Sequence, residues 1–208
     1  MTSFVFDVDG TLTNARETID PVFEEFMYDF LRNNVCYICT GSDRPKTIEQ
    51  IGEKLTNSFD LVFHCSGNHV YKGTEEYERN NWQLTSEQYY FLEDALSKID
   101  YPEKTGNHIE QRTGTANFSI CGRNANFEQR QRYVQWEKEH KARNTVSEEF
   151  NKLFGNEAEA LVAGETSIDI FKAGHNKGQA LNHIKGNVVF FGDKCFPGGN
   201  DWDIAKRS

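Results

Sequence analysis

Long hydrophobic runs are absent from this chain, and no apolar stretch approaches the roughly 20 residues that a membrane-crossing helix requires. No basic leader precedes the first strand-like segment, which begins at the third residue, so a cytoplasmic location is expected. Basic residues are in deficit. The 23 Lys and Arg against 32 Asp and Glu give a formal charge of -9, which disfavours nucleic acid or an anionic membrane surface as the main partner. Cysteine is sparse and odd in number. Its five positions, Cys36, Cys39, Cys65, Cys121 and Cys195, form no small-scaffold disulfide framework, and reduced thiols are expected. Cys36 and Cys39 make a C-x-x-C pair, but in an extended segment they face opposite sides of a sheet. That is a poor geometry for a shared metal, and core packing is the expectation. Neither an internal repeat nor a low-complexity linker interrupts the chain.

What is present suffices for a folded core: 208 residues, 37% hydrophobic, a length that fits one domain or one domain carrying a large insertion. Residues 3–6 read as a strand that breaks at Gly10-Thr11. Asp20-Pro21 supplies an N-cap and a first-position proline, followed by Val22, Phe23, Phe26, Phe30 and Leu31 at helical spacing. A second strand at 35–39 runs into Thr40-Gly41-Ser42-Asp43. The spacing then predicts one helix over 46–55, with Ile48, Ile51 and Leu55 inward, and a strand at 61–64. This alternation is that of a doubly wound parallel sheet. The pattern changes near Glu78. A helix at 88–99, an antiparallel hairpin of 107–112 and 116–121, helices at 128–141 and 147–154, and extended runs at 160–162 and 167–171 make an α+β block. A helix at 177–184 and a strand at 188–191 restore the first pattern. The expected fold class is therefore α/β, a Rossmann-like doubly wound parallel sheet core of residues 1–77 and 175–208 with an inserted α+β domain of residues 78–174.

Asp7 and Asp9 stand where the first strand runs out into a glycine turn, the edge at which open α/β sheets bind ligands. One such carboxylate can attack phosphorus and form an aspartyl-phosphate while the other moves a proton and a divalent cation screens the anions. A lone Asp-Val-Asp-Gly reads equally well as a solvated acidic turn. A second acidic glycine turn follows the last apolar strand, at Gly192-Asp193-Lys194 and Pro197-Gly198-Gly199-Asn200-Asp201, and Ser42 and Lys177 fall at the same expected edge. Nucleophile, hydroxyl donor, ammonium and metal carboxylates together are the parts of phosphoryl transfer through aspartate. Charge is also distributed unevenly. Between Lys104 and Arg143 eight Lys or Arg stand against four Glu, a local +4 that leaves -13 for the remainder and suggests a small anionic ligand held there, although a solvated helix face accounts equally for Arg132, Lys138, Lys141 and Arg143.

These residues resemble the haloacid dehalogenase superfamily, and more closely its eukaryotic-type phosphomannomutases, along nearly the whole chain. Asp7 to Thr13 looks like the first motif of that family, Gly41-Ser42-Asp43 the second, Lys177 the third, and the turn from Phe190 to Asp201 the fourth. The resemblance implies that Asp7 is nucleophile and metal ligand, that Asp9 is the general acid/base and also a Mg²⁺ ligand through its carbonyl, that Ser42 and Lys177 hold phosphoryl oxygens, and that Asp193 completes the metal site. It likewise implies substrate contacts from Arg16, Arg112, Asn117, Arg123, Arg130, Ser167 and Asp169, a cap domain of the C2b type, a homodimer through that cap, and Mg²⁺ with a hexose 1,6-bisphosphate as cofactors. The partner is then a small sugar phosphate. The expected activity is interconversion of mannose 6-phosphate and mannose 1-phosphate.

Two alternatives stay open: a sugar phosphatase of the same fold, and an inactive binding protein that keeps it. The family pattern continues beyond the fourth motif through another strand and helix, whereas this sequence stops at Ser208. Ala205 and Arg207 stand where a second cation loop carries an aromatic and an acid, so no second site is expected. Asp203 is a further candidate metal ligand; if the last core segment is absent, a neighbouring sheet edge is exposed, and a partner chain or reduced stability is then expected.

Overall fold

The computed structural model describes residues 2–14 and 17–208. In chain order its elements are β1 (Thr2–Phe6), α1 (Pro21–Leu31), β2 (Val35–Cys39), α2 (Arg44–Ile51), α3 (Glu53–Thr56), β3 (Leu61–His64), β4 (His69–Lys72) and β5 (Glu75–Arg79). There follow α4 (Ser86–Lys98), β6 (Ile109–Arg112), β7 (Thr115–Ser119), α5 (Phe127–His140), α6 (Ala142–Phe154), β8 (Ala158–Ala163), β9 (Ser167–Lys172), β10 (Asn187–Phe191) and α7 (Trp202–Ala205). Short 3-10 segments occupy Cys65–Gly67 and Lys177–His183. The chain divides into two compact units, residues 1–81 with 175–208, and residues 82–174.

The first unit is built on a six-stranded sheet in the order β10-β1-β2-β3-β4-β5. β10, β1, β2 and β3 are parallel, as the strand-helix alternation predicts, and β4 and β5 add an antiparallel margin. That margin was not legible in the sequence, because every β5 side chain is exposed and no apolar alternation marks it. It carries the first unit's sheet through Arg79, past the expected boundary at 78. Alternation of side chains gives the sheet two buried faces. Phe6, Cys36, Ile38 and Val62 pack with Met27 of α1, Ile51 and Leu55 on one side, and Val5, Cys39, Phe63 and Val70 pack with Ala180, Ile184 and Ile204 on the other. Cys36 and Cys39 thus lie on opposite faces.

Local chemistry starts and stops the helices. The Asp20 carboxylate accepts from the N–H groups of Val22 and Phe23 at 2.9 and 3.1 Å, and Pro21 opens α1. Asp43 caps α2 by accepting from the N–H of Lys46. The single helix expected over 46–55 is two, because Gly52 at φ +77 leaves right-handed helical space and the chain restarts as α3. Among the described residues β10 pairs with β1 alone, and its Val189 and Phe191 are exposed although Phe191 stacks on Phe6 at 4.9 Å.

The second unit is a four-stranded antiparallel sheet, β6-β7-β9-β8, with one apolar face. Ile109, Phe118, Ile120, Ile168 and Ile170 from the sheet cluster with Leu92 of α4, Tyr133 of α5, and Val146 and Phe150 of α6. The buried Glu137 carboxylate accepts from Tyr133 Oη at 3.1 Å and from the Arg143 N–H and Nε at 3.0 and 3.1 Å, which fixes the left-handed corner at Lys141 between α5 and α6. Among the described residues no helix is long and apolar enough to cross a membrane. Phe118 is fully buried at the centre of the second core. Phe118→Ala should cost about 3–5 kcal/mol, read as lost native-state amide protection within residues 82–174; a loss below about 1 kcal/mol would mean that this cluster does not hold the unit together.

Candidate active site

Where β1 ends, the Asp7 N–H donates to the Phe191 carbonyl at 2.9 Å, so the turns after β1 and β10 begin side by side. The chain leaves these neighbouring strands toward opposite flanks of the sheet, which is a topological switch point. After Asp7 the backbone curls back, the Val8 carbonyl accepting from the N–H groups of Thr11, Leu12 and Thr13 at 3.2, 3.0 and 3.1 Å. Gly10 sits there at φ +82, and a Cβ on it would lie 2.7 Å from Asp193 Oδ2. Only glycine supplies both that backbone conformation and the close approach of the two acidic turns.

Lys177 opens the 3-10 segment behind Asn176, whose side chain accepts from the Gly178 N–H at 2.9 Å. Its ammonium is 1% exposed and donates to Asp7 Oδ1 at 2.7 Å and Asp201 Oδ1 at 2.6 Å. Asp201 is itself fully buried, and its other oxygen accepts from the Lys194 N–H at 3.2 Å, which closes the turn that carries Asp193. One ammonium therefore faces two buried carboxylates. Burial opposes the charge on Lys177, but Asp7 and Asp201 more than offset it and raise its pKa. Burial is also the largest influence on Asp7; Lys177 pulls the other way, Asp201 adds repulsion, and its pKa is pushed up to about 6. Asp193 is raised too, first by partial desolvation.

Ser42 and Asp9 meet a few ångströms away. Ser42 Oγ donates to Asp9 Oδ2 at 3.4 Å, and Gln50 Nε2, from the buried side of α2, donates to Asp9 Oδ1 at 2.9 Å and Thr13 Oγ1 at 3.2 Å. Asp9 is thereby oriented by two donors, one from each side.

Asp7, Asp193 and Asp201 each offer an oxygen within 4.8 Å of the others. With Lys177 as counter-ion this trio retains negative charge. The buried Asn200 Oδ1 and Thr11 Oγ1 have no hydrogen-bond partner. An all-oxygen donor set with unspent acceptors suits a hard divalent cation such as Mg²⁺. The sequence reading placed Asp7 and Asp193 among such ligands but gave Asp201 no role; the signal was its place in a glycine turn after an apolar strand. Gln50 was also missed, since a polar residue beside inward Ile51 has no periodic signature. Asp203 is turned away from the trio, accepting from Asn176 Nδ2 at 2.7 Å and pairing with Lys206. Arg207 donates to the Gly178 carbonyl at 2.9 Å.

The second unit carries its own polar row on the sheet face opposite the core. Register aligns Glu110 with Asn117 and Asn117 with Asp169 across β6, β7 and β9. Asn117 Nδ2 donates to Asp169 Oδ1 at 2.7 Å and its Oδ1 accepts from Arg123 at 3.1 Å. Glu110 Oε2 binds both Arg112, at 2.5 Å, and Arg123, at 3.1 Å. Two guanidinium groups are thus held ready by one carboxylate, an orientation that suits an oxyanion. Glu110 has no role in the sequence reading. Ser167 shares this face two residues from Asp169 and across from Ser119, and Arg130 is half-buried in the first turn of α5. Arg16 lies outside the described residues.

A family model described as eukaryotic phosphomannomutase matches residues 23–208. A phosphomannomutase of Saccharomyces cerevisiae is 36% identical over 98% of this chain and 84% of its own length, and one of Drosophila melanogaster is 35% identical over 96% and 84%. Among solved structures, the C-terminal domain of a Candida albicans trehalose-6-phosphate phosphatase superposes with a TM-score of 0.62 at 17% identity, covering 98% of this chain and 71% of that one. A haloacid dehalogenase-like hydrolase of Bacteroides thetaiotaomicron gives 0.60 at 14%, covering 98% and 84%. At that identity the structural likeness establishes the fold.

The raised Asp7 carboxyl has a consequence in the metal-free protein. Its pKa is about 6 when folded against about 4 in an unfolded chain. The fold therefore holds an extra proton between those values, and stability present below about pH 4 is lost as pH rises through 6. Asp7→Asn should lack this component, so that urea denaturation shows wild type losing about 3 kcal/mol relative to the variant across pH 4 to 6. Parallel profiles would mean that Asp7 does not sense its burial.

Proposed function

Because this chain belongs to the eukaryotic phosphomannomutase family, we propose that it interconverts mannose 6-phosphate and mannose 1-phosphate through a hexose 1,6-bisphosphate. The observation that carries the chemistry is the buried contact of Lys177 with Asp7 beside Asp193 and Asp201. Lys177 occupies one oxygen of Asp7 and leaves the other to attack the phosphorus of a bound bisphosphate. The bond from phosphorus to the sugar oxygen breaks as Asp9 gives that oxygen its proton. In the return step a hexose monophosphate presents its unphosphorylated end to the site; Asp9 takes the proton from that hydroxyl, whose oxygen attacks the aspartyl-phosphate, so that the bisphosphate is re-formed and Asp7 is freed. Ser42, which donates toward Asp9, would hold a phosphoryl oxygen through the same step.

Asp7, Asp193 and Asp201, with Asn200 and Thr11 close by in sequence, would hold Mg²⁺, which would neutralise charge gathering on the phosphoryl oxygens. The mutase reading also needs a grip for the phosphate that is not reacting. Arg112 and Arg123, braced on Glu110, have the donors for it, and Asn117, Ser167 and Asp169 have the groups to meet sugar hydroxyls. Self-association through residues 82–174 belongs to the same reading, and exposed Tyr90, Phe127 and Leu153 supply apolar area for it. A sedimentation mass of one chain at micromolar concentration would remove that part alone.

Phosphorus NMR of mannose 1-phosphate with Mg²⁺ and a catalytic amount of bisphosphate should show a 6-phosphate signal growing. Inorganic phosphate as sole product would make the protein a phosphatase. Arg123→Ala should lower isomerisation about tenfold more than hydrolysis of a simple aryl phosphate, corresponding to one lost charge-assisted contact. Equal losses would count against a second phosphate grip.

A further inference from the structure

The loop after β3 is built against backbone preference. Cys65 and Ser66 have φ of +50 and +58, and Gly67 follows at +88. Consecutive non-glycine residues in left-handed space persist only where surrounding bonds over-determine them, and such sites concentrate where function needs a fixed backbone. Here the turn has a clear output. The Cys65 N–H donates to the Ser42 carbonyl at 2.9 Å and the Ser66 N–H to the Thr40 carbonyl at 2.8 Å, so the phosphate-holding loop after β2 rests on it. The Ser66 carbonyl accepts from Gln179 Nε2 at 2.7 Å, two residues beyond Lys177.

What pins the turn is Asn68, only 2% exposed. Its Nδ2 donates to the Cys65 carbonyl at 2.9 Å and the His175 carbonyl at 3.1 Å, and its Oδ1 accepts from Asn80 Nδ2 at 2.7 Å. The Asn80 N–H returns to the Asn68 carbonyl at 2.8 Å. Asn80 is where the chain is about to leave the first unit and His175 is where it returns. A planar amide with two donors and an acceptor fits this junction; Asp has no donor for the two carbonyls, and Leu has neither group.

We propose that Asn68 is a positioning residue for phosphoryl transfer: its amide ties both chain crossings to the left-handed Cys65-Ser66 turn and so fixes the backbone that presents Ser42. This rests on the phosphotransfer reading of Ser42, and its test is separable from it. Asn68 touches neither Asp7 nor Asp9, and acts through the turn.

The test is Asn68→Ala in the full chain, with amide exchange followed by NMR. Exchange at Cys65 and Ser66 should accelerate about tenfold while β1 and β2 amides keep their protection. In a cycle with Ser42→Ala, Asn68→Ala should lower kcat/KM for an aryl phosphate about tenfold in wild type but less than about threefold once the hydroxyl is gone, because coupled residues are not additive. Unchanged exchange at Cys65 and Ser66, or equal losses in both backgrounds, would overturn the proposal. If wild type turns over no phosphate ester, the functional reading fails, and the same cycle is read from calorimetric affinity for inorganic phosphate. Asn80→Ala, which removes the donor to Asn68 Oδ1 and the 3.4 Å contact with His175 Nδ1 but leaves both Asn68 donors in place, should produce the same exchange pattern more weakly and serves if Asn68→Ala does not fold.

Discussion

A buried ammonium shared by two carboxylates organises the first unit. Lys177 is out of contact with water, and desolvating it is tolerable only because Asp7 and Asp201 reach it at 2.7 and 2.6 Å. Those three residues come from the end of β1, the start of a 3-10 segment and the turn after β10. No one of these segments can move far without stranding a charge in the interior, where breaking such a pair costs about 3–5 kcal/mol. In the proposed reaction the same contact occupies one Asp7 oxygen and leaves the other for attack.

Local geometry around this contact is shaped by close approach. Gly10 lets the first acidic turn lie against Asp193, and Gln50 reaches from α2 to hold Asp9 from the side opposite Ser42. In the second unit Glu110 performs a comparable task with the opposite sign, holding two guanidinium groups in place. Both sites reduce the freedom of their working groups in advance, so less ordering remains for a ligand to impose.

Much of this was legible in the sequence. The buried strands β1, β2, β3 and β10 announced themselves as short apolar runs ending in glycine turns, and Asp20 and Asp43 marked helix starts by their capping chemistry. β4 and β5 did not, because β4 is four residues long with Val70 as its one buried aliphatic side chain and every β5 side chain is exposed, which leaves no hydrophobic period to read. The helix at 46–55 was extended through Gly52 because the inward spacing of Ile51 and Leu55 continued across it, although the backbone did not. At the site, Asp7, Asp9, Ser42, Lys177 and Asp193 stand in motifs and were named, Asp201 stands in one and was given no role, and Gln50 and Asn68 stand in none and were not named. Their roles come from tertiary neighbours distant in sequence, and a buried amide leaves no pattern along the chain.

The margin of the first sheet divides the acidic trio in a way its chemistry does not. Among the described residues, Asp7 follows β1, which is laddered on both sides by β2 and β10, whereas Asp193 and Asp201 follow β10, which is laddered by β1 on one side. Strands zipped along a single flank breathe at lower free energy than those clamped between two. Asp7 is therefore anchored in the stiff interior of the fabric, and the two acids across from it ride on its hem.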